Sequence, residues 1–222
     1  MNRQNRLLSL YSTLLDALGP SHWWPGESPF EVAVGAILTQ NTNWANVERA
    51  IAALRRAGAM TPAAMRELSP EALAGLIRPA GTFRVKAARL GHFLDFLARE
   101  AGGAADLADA SLRFLAGREL SELRPRLLAV KGVGPETADC ILLYALNLPS
   151  FVVDAYTARI MSRHLFLPED ASYDELQAFF ADVLPADPAL FGEFHALIVR
   201  LGKTWCGRTR AKCETCPLHS LR

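Results

Sequence analysis

Between Val130 and Asp154 the chain reads VKGVGPETADCILLYALNLPSFVVD, a stretch that concentrates residues able to act on a ligand. Gly132 and Gly134 flank one apolar residue just before a fresh helical pattern. With Lys131 and Val133 they make a tight hairpin whose backbone N–H groups can hold a phosphate. Asp154 ends a short apolar run and precedes the periodic AYTARIMSRHL, so it stands at a helix start. There a carboxylate can cap the helix, work as an acid–base group, or do both. Near the other end Cys206, Cys213 and Cys216 follow the spacing C-x6-C-x2-C, which fits a metal site in a reducing compartment better than a disulfide framework. Trp23, Trp24 and Pro25, with Trp44 further on, offer indole faces that either stack on a planar or cationic group or plug a junction in the core.

The elements that must position these groups are helical. Apolar residues recur at helical spacing almost throughout, and the breaks fall at Gly and Pro positions such as Gly19-Pro20, Pro62, Pro70, Gly102-Gly103, Pro168 and Pro185. The one strand-like run, Phe151 to Val153, is too short to build a sheet, so the fold class is all-α with roughly ten helices. The pattern predicts helices over about 4–18, 29–39, 44–57, 62–68, 70–77, 84–101, 111–116, 119–129, 135–147, 155–165, 172–183 and 188–203. Thr61 before Pro62, Ser69 before Pro70, and Ser172 before Asp174 and Glu175 are helix-start signals. A seam falls near residues 147–150, and the short connection there implies two packed lobes rather than separate modules.

Composition narrows the class of partner. With 222 residues, half of them hydrophobic, the chain can bury a sizeable core. Its formal net charge is only +1, so nucleic-acid binding must come from a locally basic face and backbone donors. The N-terminal segment lacks a long apolar core or a cleavage site, and no run reaches membrane-spanning length. A soluble, cytoplasmic protein is the expectation, nucleoid-associated if bacterial. The only lysines are Lys86, Lys131, Lys203 and Lys212, which limits any chemistry that needs an amine.

Taken together, SPFEVAVGAILTQNT at 28–42, RPAGTFRVKAARL at 78–90, VKGVGPETAD at 130–139, VVDAYTARI at 152–160 and the cysteine cluster resemble the endonuclease III-like DNA glycosylases of the helix-hairpin-helix superfamily. The resemblance covers nearly the whole chain. It implies a two-lobed fold: a six-helix barrel domain over 22–147 carrying the hairpin, and a second helical domain formed by 1–21 and 148–222 that carries the metal cluster. It implies double-stranded DNA with a damaged base as the partner, a monomer, and Asp154 as the catalytic aspartate. Gln40 and Asn41 match the region where the family inserts a polar wedge beside the orphan base, and Thr82 falls at a second wedge position. Helix C-capping is the alternative reading of Gln40 and Asn41.

One departure is chemical. Members that also cut the backbone place a lysine where this chain has Glu136, and a glutamate cannot form an imine with the sugar. The resemblance therefore implies a water-using glycosylase, and Glu136 equally suits a helix start in its own right. The WWP turn, the LTQNT motif and this glutamate look like the 3-methyladenine glycosylase branch, whose alkylated purines carry a weakened glycosidic bond. The alternatives are a bifunctional glycosylase/lyase for oxidised pyrimidines, or a damage-binding protein without turnover. For the cysteines the resemblance implies a [4Fe–4S] cluster, but the fourth cysteine position is Arg222. His219 is the nearest substitute ligand, and zinc on three cysteines and His219, or no metal, are the other readings.

Overall fold

The structure, a computed structural model, describes residues 2–221. Among them are twelve α-helices: α1 (Arg3–Leu18), α2 (Pro29–Leu38), α3 (Trp44–Arg56), α4 (Pro62–Arg66), α5 (Pro70–Leu76), α6 (Phe83–Glu100), α7 (Ala104–Ala108), α8 (Leu120–Leu128), α9 (Pro135–Cys140), α10 (Ala155–Arg163), α11 (Tyr173–Ala181) and α12 (Pro188–Thr204). The described residues form no strand, only an isolated bridge between Cys206 and Ala211. None of the helices is long and apolar enough to cross a membrane.

The helix starts are written in side chains. Ser28, Asn43, Thr61 and Ser69 each accept from the backbone N–H three residues on, which satisfies a donor that the helix itself cannot. Ser172 and Glu175 form a reciprocal capping box. Two local expectations are corrected. The stretch predicted as a helix at 111–116 is a 3-10 turn, Arg113–Leu115, entered through Leu112 in the left-handed region, and the short α7 was not anticipated. The helix that begins at Pro135 changes winding, running from α9 directly into a π-helical turn, Ile141–Ala145.

The chain divides into two compact units: Trp24–Asn147, and the remainder on either side of it. In the central unit α2 is buried on nearly every face, and its single charge, Glu31, is paired with Arg55 of α3 at 2.8 Å. The two helices flanking the glycine hairpin are locked by a fork of hydrogen bonds from Arg124 of α8 to the fully buried Asp139 of α9, at 2.8 and 3.1 Å. Removing one partner of such a pair costs about 3–5 kcal/mol, because the other charge stays buried. So the hairpin hangs between two rigidly joined helices.

The other unit joins both ends of the chain. Arg200 of α12 donates to the carbonyls of Leu18 and Gly19 that α1 leaves open, and Ser21 donates to Glu193 through its backbone N–H at 2.7 Å and its hydroxyl at 2.6 Å. The core here is aromatic. Phe151 stacks on Phe180 at 4.1 Å between centroids and meets Phe191 and Phe194 edge-on. Gln177 donates to the Phe151 carbonyl at 2.8 Å, so the segment leading to Asp154 is fixed by packing and by a hydrogen bond.

Candidate functional site

Asp154 is the N-cap of α10. Its Oδ1 accepts from Tyr156 N at 3.0 Å, Thr157 N at 2.7 Å and Thr157 Oγ1 at 2.9 Å. That oxygen is saturated. Oδ2 lies 3.8 Å from Nε2 of His195, a buried residue of α12. The same two helices meet closely at Gly202 of α12, where a Cβ would fall 2.3 Å from the Tyr156 ring, so a side chain there would push α10 and α12 apart. Burial pushes the Asp154 carboxyl up, but the imidazole of His195 and the Thr157 donors outweigh it and hold the group below the ordinary value of 3.8. The site thus contains an ionised carboxylate with one oxygen tied down.

In the central unit the hairpin is built on a turn closed by Val133 N donating to Val130 O at 3.0 Å, with Gly132 at φ +92°. This is the third position of a type II turn, where the left-handed backbone calls for glycine. Gly134 is different. Its φ is −93° and a Cβ would meet nothing within 4 Å, so neither strain nor crowding explains the missing side chain. Among the described residues the N–H groups of Gly132 and Gly134 have no acceptor. A planar trans peptide points its N–H opposite to its C=O. By donating to Lys131 O at 3.0 Å, His92 of α6 therefore fixes the direction of the Gly132 N–H. Lys131 and Glu136 are both exposed.

The residues singled out as wedges occupy two turns. Gln40 and Asn41 follow α2, and Thr82 precedes α6. Asn41 (φ 53°) and Thr82 (φ 36°) are left-handed and exposed, which asparagine tolerates far better than threonine. A residue that sequence reasoning passed over ties the two turns together: the buried Lys86 ammonium donates to Leu38 O at 2.9 Å and Ala80 O at 2.6 Å. Desolvation, with Arg89 nearby, lowers its pKa below 10.5. Only its place in a GTFRVKA segment could have hinted at this, since the acceptors are backbone atoms.

The tryptophans separate. Trp23 belongs to the terminal unit, where Lys203 sits 5.5 Å from its ring centroid. Trp24 belongs to the central unit and meets Trp44 edge-on at 5.2 Å and Tyr144 at 5.3 Å, all three half-buried. Trp24 packs on Gly35 of α2, where a Cβ would lie 3.3 Å from the indole. Tyr144 was not anticipated. It lies on the π-helical turn, a winding that shifts side-chain direction away from the helical period and recurs at functional sites. Pro25 is exposed.

A family profile described as HhH-GPD superfamily base excision DNA repair protein matches residues 34–186. The chain belongs to this superfamily. It is 43% identical over 217 residues to "Putative DNA repair glycosylase MJ1434" of Methanocaldococcus jannaschii, covering 98% of this chain and 96% of that protein. Endonuclease III of Escherichia coli K12 is 26% identical, with 100% and 96% covered. Among solved structures, the H. pylori 3-methyladenine DNA glycosylase MagIII bound to 1,N6-ethenoadenine is similar with a TM-score of 0.73 at 28% identity, covering 91% of this chain and 98% of that one. A non-covalent endonuclease III–DNA complex shares the fold with a TM-score of 0.80 at 21% identity, covering 100% and 95%.

In this HhH-GPD chain Cys206, Cys213, Cys216 and His219 line one cavity of about 20 Å³. Arg163 of α10 donates to the Cys206 sulfur at 3.2 Å and to Gly207 O at 2.8 Å, and Arg159 donates to Cys206 O at 2.8 Å. The same helix that starts at Asp154 therefore also holds the first cysteine. The donor chemistry fits a thiolate-bound metal or cluster, and the guanidinium would support a charged sulfur. Yet among the described residues no three His, Cys, Asp or Glu side chains are arranged to hold a metal ion. His219 is exposed, and its Nδ1 pairs with Cys213 O at 3.1 Å. The fourth-cysteine position, Arg222, lies outside the described residues.

Proposed function

We propose that this chain is a DNA glycosylase that turns a damaged nucleotide out of the duplex and hydrolyses its N-glycosidic bond with water. The observation that carries the reading is Asp154, ionised, with Oδ1 held by three donors and Oδ2 facing Nε2 of His195 at 3.8 Å. The C1′–N bond breaks with its electron pair leaving on the base, and positive charge develops on the sugar. A fixed carboxylate stabilises that charge and orients the water that adds to C1′, whose proton is released as the abasic sugar forms. The hairpin, with its unengaged Gly132 and Gly134 amides beside Lys131, supplies the backbone phosphate grip that a base-flipping enzyme requires.

The substrate class we infer is an alkylated purine. The half-buried cluster of Trp24, Trp44 and Tyr144 suits a planar, electron-poor base, and the structure of MagIII, a 3-methyladenine DNA glycosylase bound to 1,N6-ethenoadenine, supports this by similarity. The lysines favour water over imine chemistry. Lys86 is buried with its ammonium on two carbonyls, Lys203 lies against Trp23, the hairpin position offers Glu136, and the exposed Lys131 of the hairpin is read as a phosphate contact rather than a nucleophile. If a [4Fe–4S] cluster is bound, Cys206, Cys213 and Cys216 would hold it, and it would shape the loop that Arg159 and Arg163 anchor.

The test is a panel of duplexes carrying alkylated, oxidised or deaminated bases, scored for abasic sites with and without alkali and for covalent capture by borohydride. Release from alkylated purines that requires alkali for strand breakage, with no captured adduct, is the expected result. A borohydride adduct would sink the water mechanism, and no release from any duplex would leave a damage-binding protein.

A further inference from the structure

The two oxygens of Asp154 have different surroundings. Oδ1 is spent on the helix cap, so the oxygen left to meet a sugar cation or a water is Oδ2, and His195 Nε2 faces it at 3.8 Å. Both side chains are nearly sealed, 12% and 6% exposed, and Nε2 itself is buried, so solvent screens the pair weakly. Packing sets this meeting from several sides within the unit formed by the chain ends. Phe151, just before Asp154, lies edge-on to Phe194, the neighbour of His195, with centroids 6.0 Å apart. About two helical turns further along α12, Gly202 meets the ring of Tyr156 on the first turn of α10. On either side of His195, Glu193 and Arg200 tie α12 to Ser21 and to the end of α1. The imidazole therefore has little freedom to leave Oδ2.

We infer that His195 is a positioning residue for Asp154, its imidazole holding Oδ2 toward the reacting sugar while Oδ1 stays on the helix cap. The inference rests on the proposed base release. A histidine with its proton on Nε2 presents a donor to Oδ2, and the second lone pair of that oxygen stays open to a water. Contacts of this length at catalytic groups tighten when substrate is seated. Burial works against the carboxylate charge and the imidazole works for it, a balance that lets a sealed carboxylate stay ionised. An apolar side chain at position 195 would leave Oδ2 without that donor, and the carboxylate would turn or take up a proton.

The experiment measures single-turnover base release on whichever duplex of the lesion panel the wild-type chain processes fastest. Alongside it runs the affinity for a duplex carrying a tetrahydrofuran abasic analogue. The variants are His195→Leu and His195→Gln, each alone and combined with Asp154→Asn. His195→Leu should lower release about ten- to a hundred-fold and leave affinity for the abasic analogue within about two-fold of wild type. His195→Gln, whose amide nitrogen reaches the place of Nε2, should recover release to within about three-fold of wild type. In the Asp154→Asn background the leucine substitution should cost less than about two-fold, because the charge it serves is gone. Wild-type release by His195→Leu, equal losses in the leucine and glutamine variants, a loss of affinity in step with release, or an undiminished loss in the Asp154→Asn background would each overturn the inference. His195→Met, which also lacks a donor, carries the same expectation and replaces His195→Leu should that variant not fold. A wild-type chain that releases no base from any duplex would instead sink the glycosylase reading, and this inference with it.

Discussion

Two helix starts in this chain face the same physical problem and solve it differently. At α10, Asp154 turns Oδ1 onto the open N–H groups of Tyr156 and Thr157, so the end is closed from within. At α9 the N-cap is Gly134, which has no side chain to do this, and the preceding hairpin keeps two amides unengaged. The first arrangement fixes a negative charge; the second leaves a place for one. The glycosylase reaction proposed above uses both: a carboxylate for the sugar cation and backbone donors for the phosphate.

The largest expected effect comes from separating the two jobs of Asp154. Asp154→Asn keeps a good N-cap but loses the charge, so base release should fall about 10³-fold while duplex binding and melting temperature change little. Asp154→Ala should lose release and also about 1 kcal/mol of stability. Equal release by the wild-type and Asn chains would reduce Asp154 to a cap.

The glycines sharpen the other side. Gly134→Ala has space and an ordinary φ, so the chain should fold at least as stably, gaining up to about 1 kcal/mol, yet bind duplex DNA about ten-fold more weakly. Gly132→Ala meets a positive φ and the Arg89 stem, and should destabilise the fold by about 1–3 kcal/mol. If Gly134→Ala bound as well as wild type, the contrast between the closed and open helix starts would lose its functional meaning. Lys86→Met strips a donor from Leu38 O and Ala80 O, and should cost about 1–3 kcal/mol by chemical denaturation.

The smallest effect is in pH. Because the folded Asp154 carboxyl lies below its ordinary 3.8, its contribution to stability is fully present above that value and disappears as pH falls through the lower folded value. Melting curves of wild type and Asp154→Asn should therefore run parallel from about pH 5 to 8 and converge only in strong acid. Divergence near neutrality would mean that the carboxyl is raised, not lowered.

The local features were readable from the residues themselves. Caps at Thr61, Ser69 and Ser172, the glycine hairpin and the helix start at Asp154 depend on contacts within a few positions, and short-range chemistry is what a sequence displays. The 3-10 turn at Arg113–Leu115 and the π-helical turn at Ile141–Ala145 were hidden, because a hydrophobic period does not record how the backbone is wound. Tertiary structure alone decided that Gln40 binds partners 92 and 97 positions away, that Lys86 joins two turns through carbonyls, that a bare Gly202 lets α12 pack on Tyr156, and that His195 lies beside Asp154. Backbone acceptors carry no residue identity and distant partners carry no spacing, so only the folded chain can show which polar groups remain for a ligand.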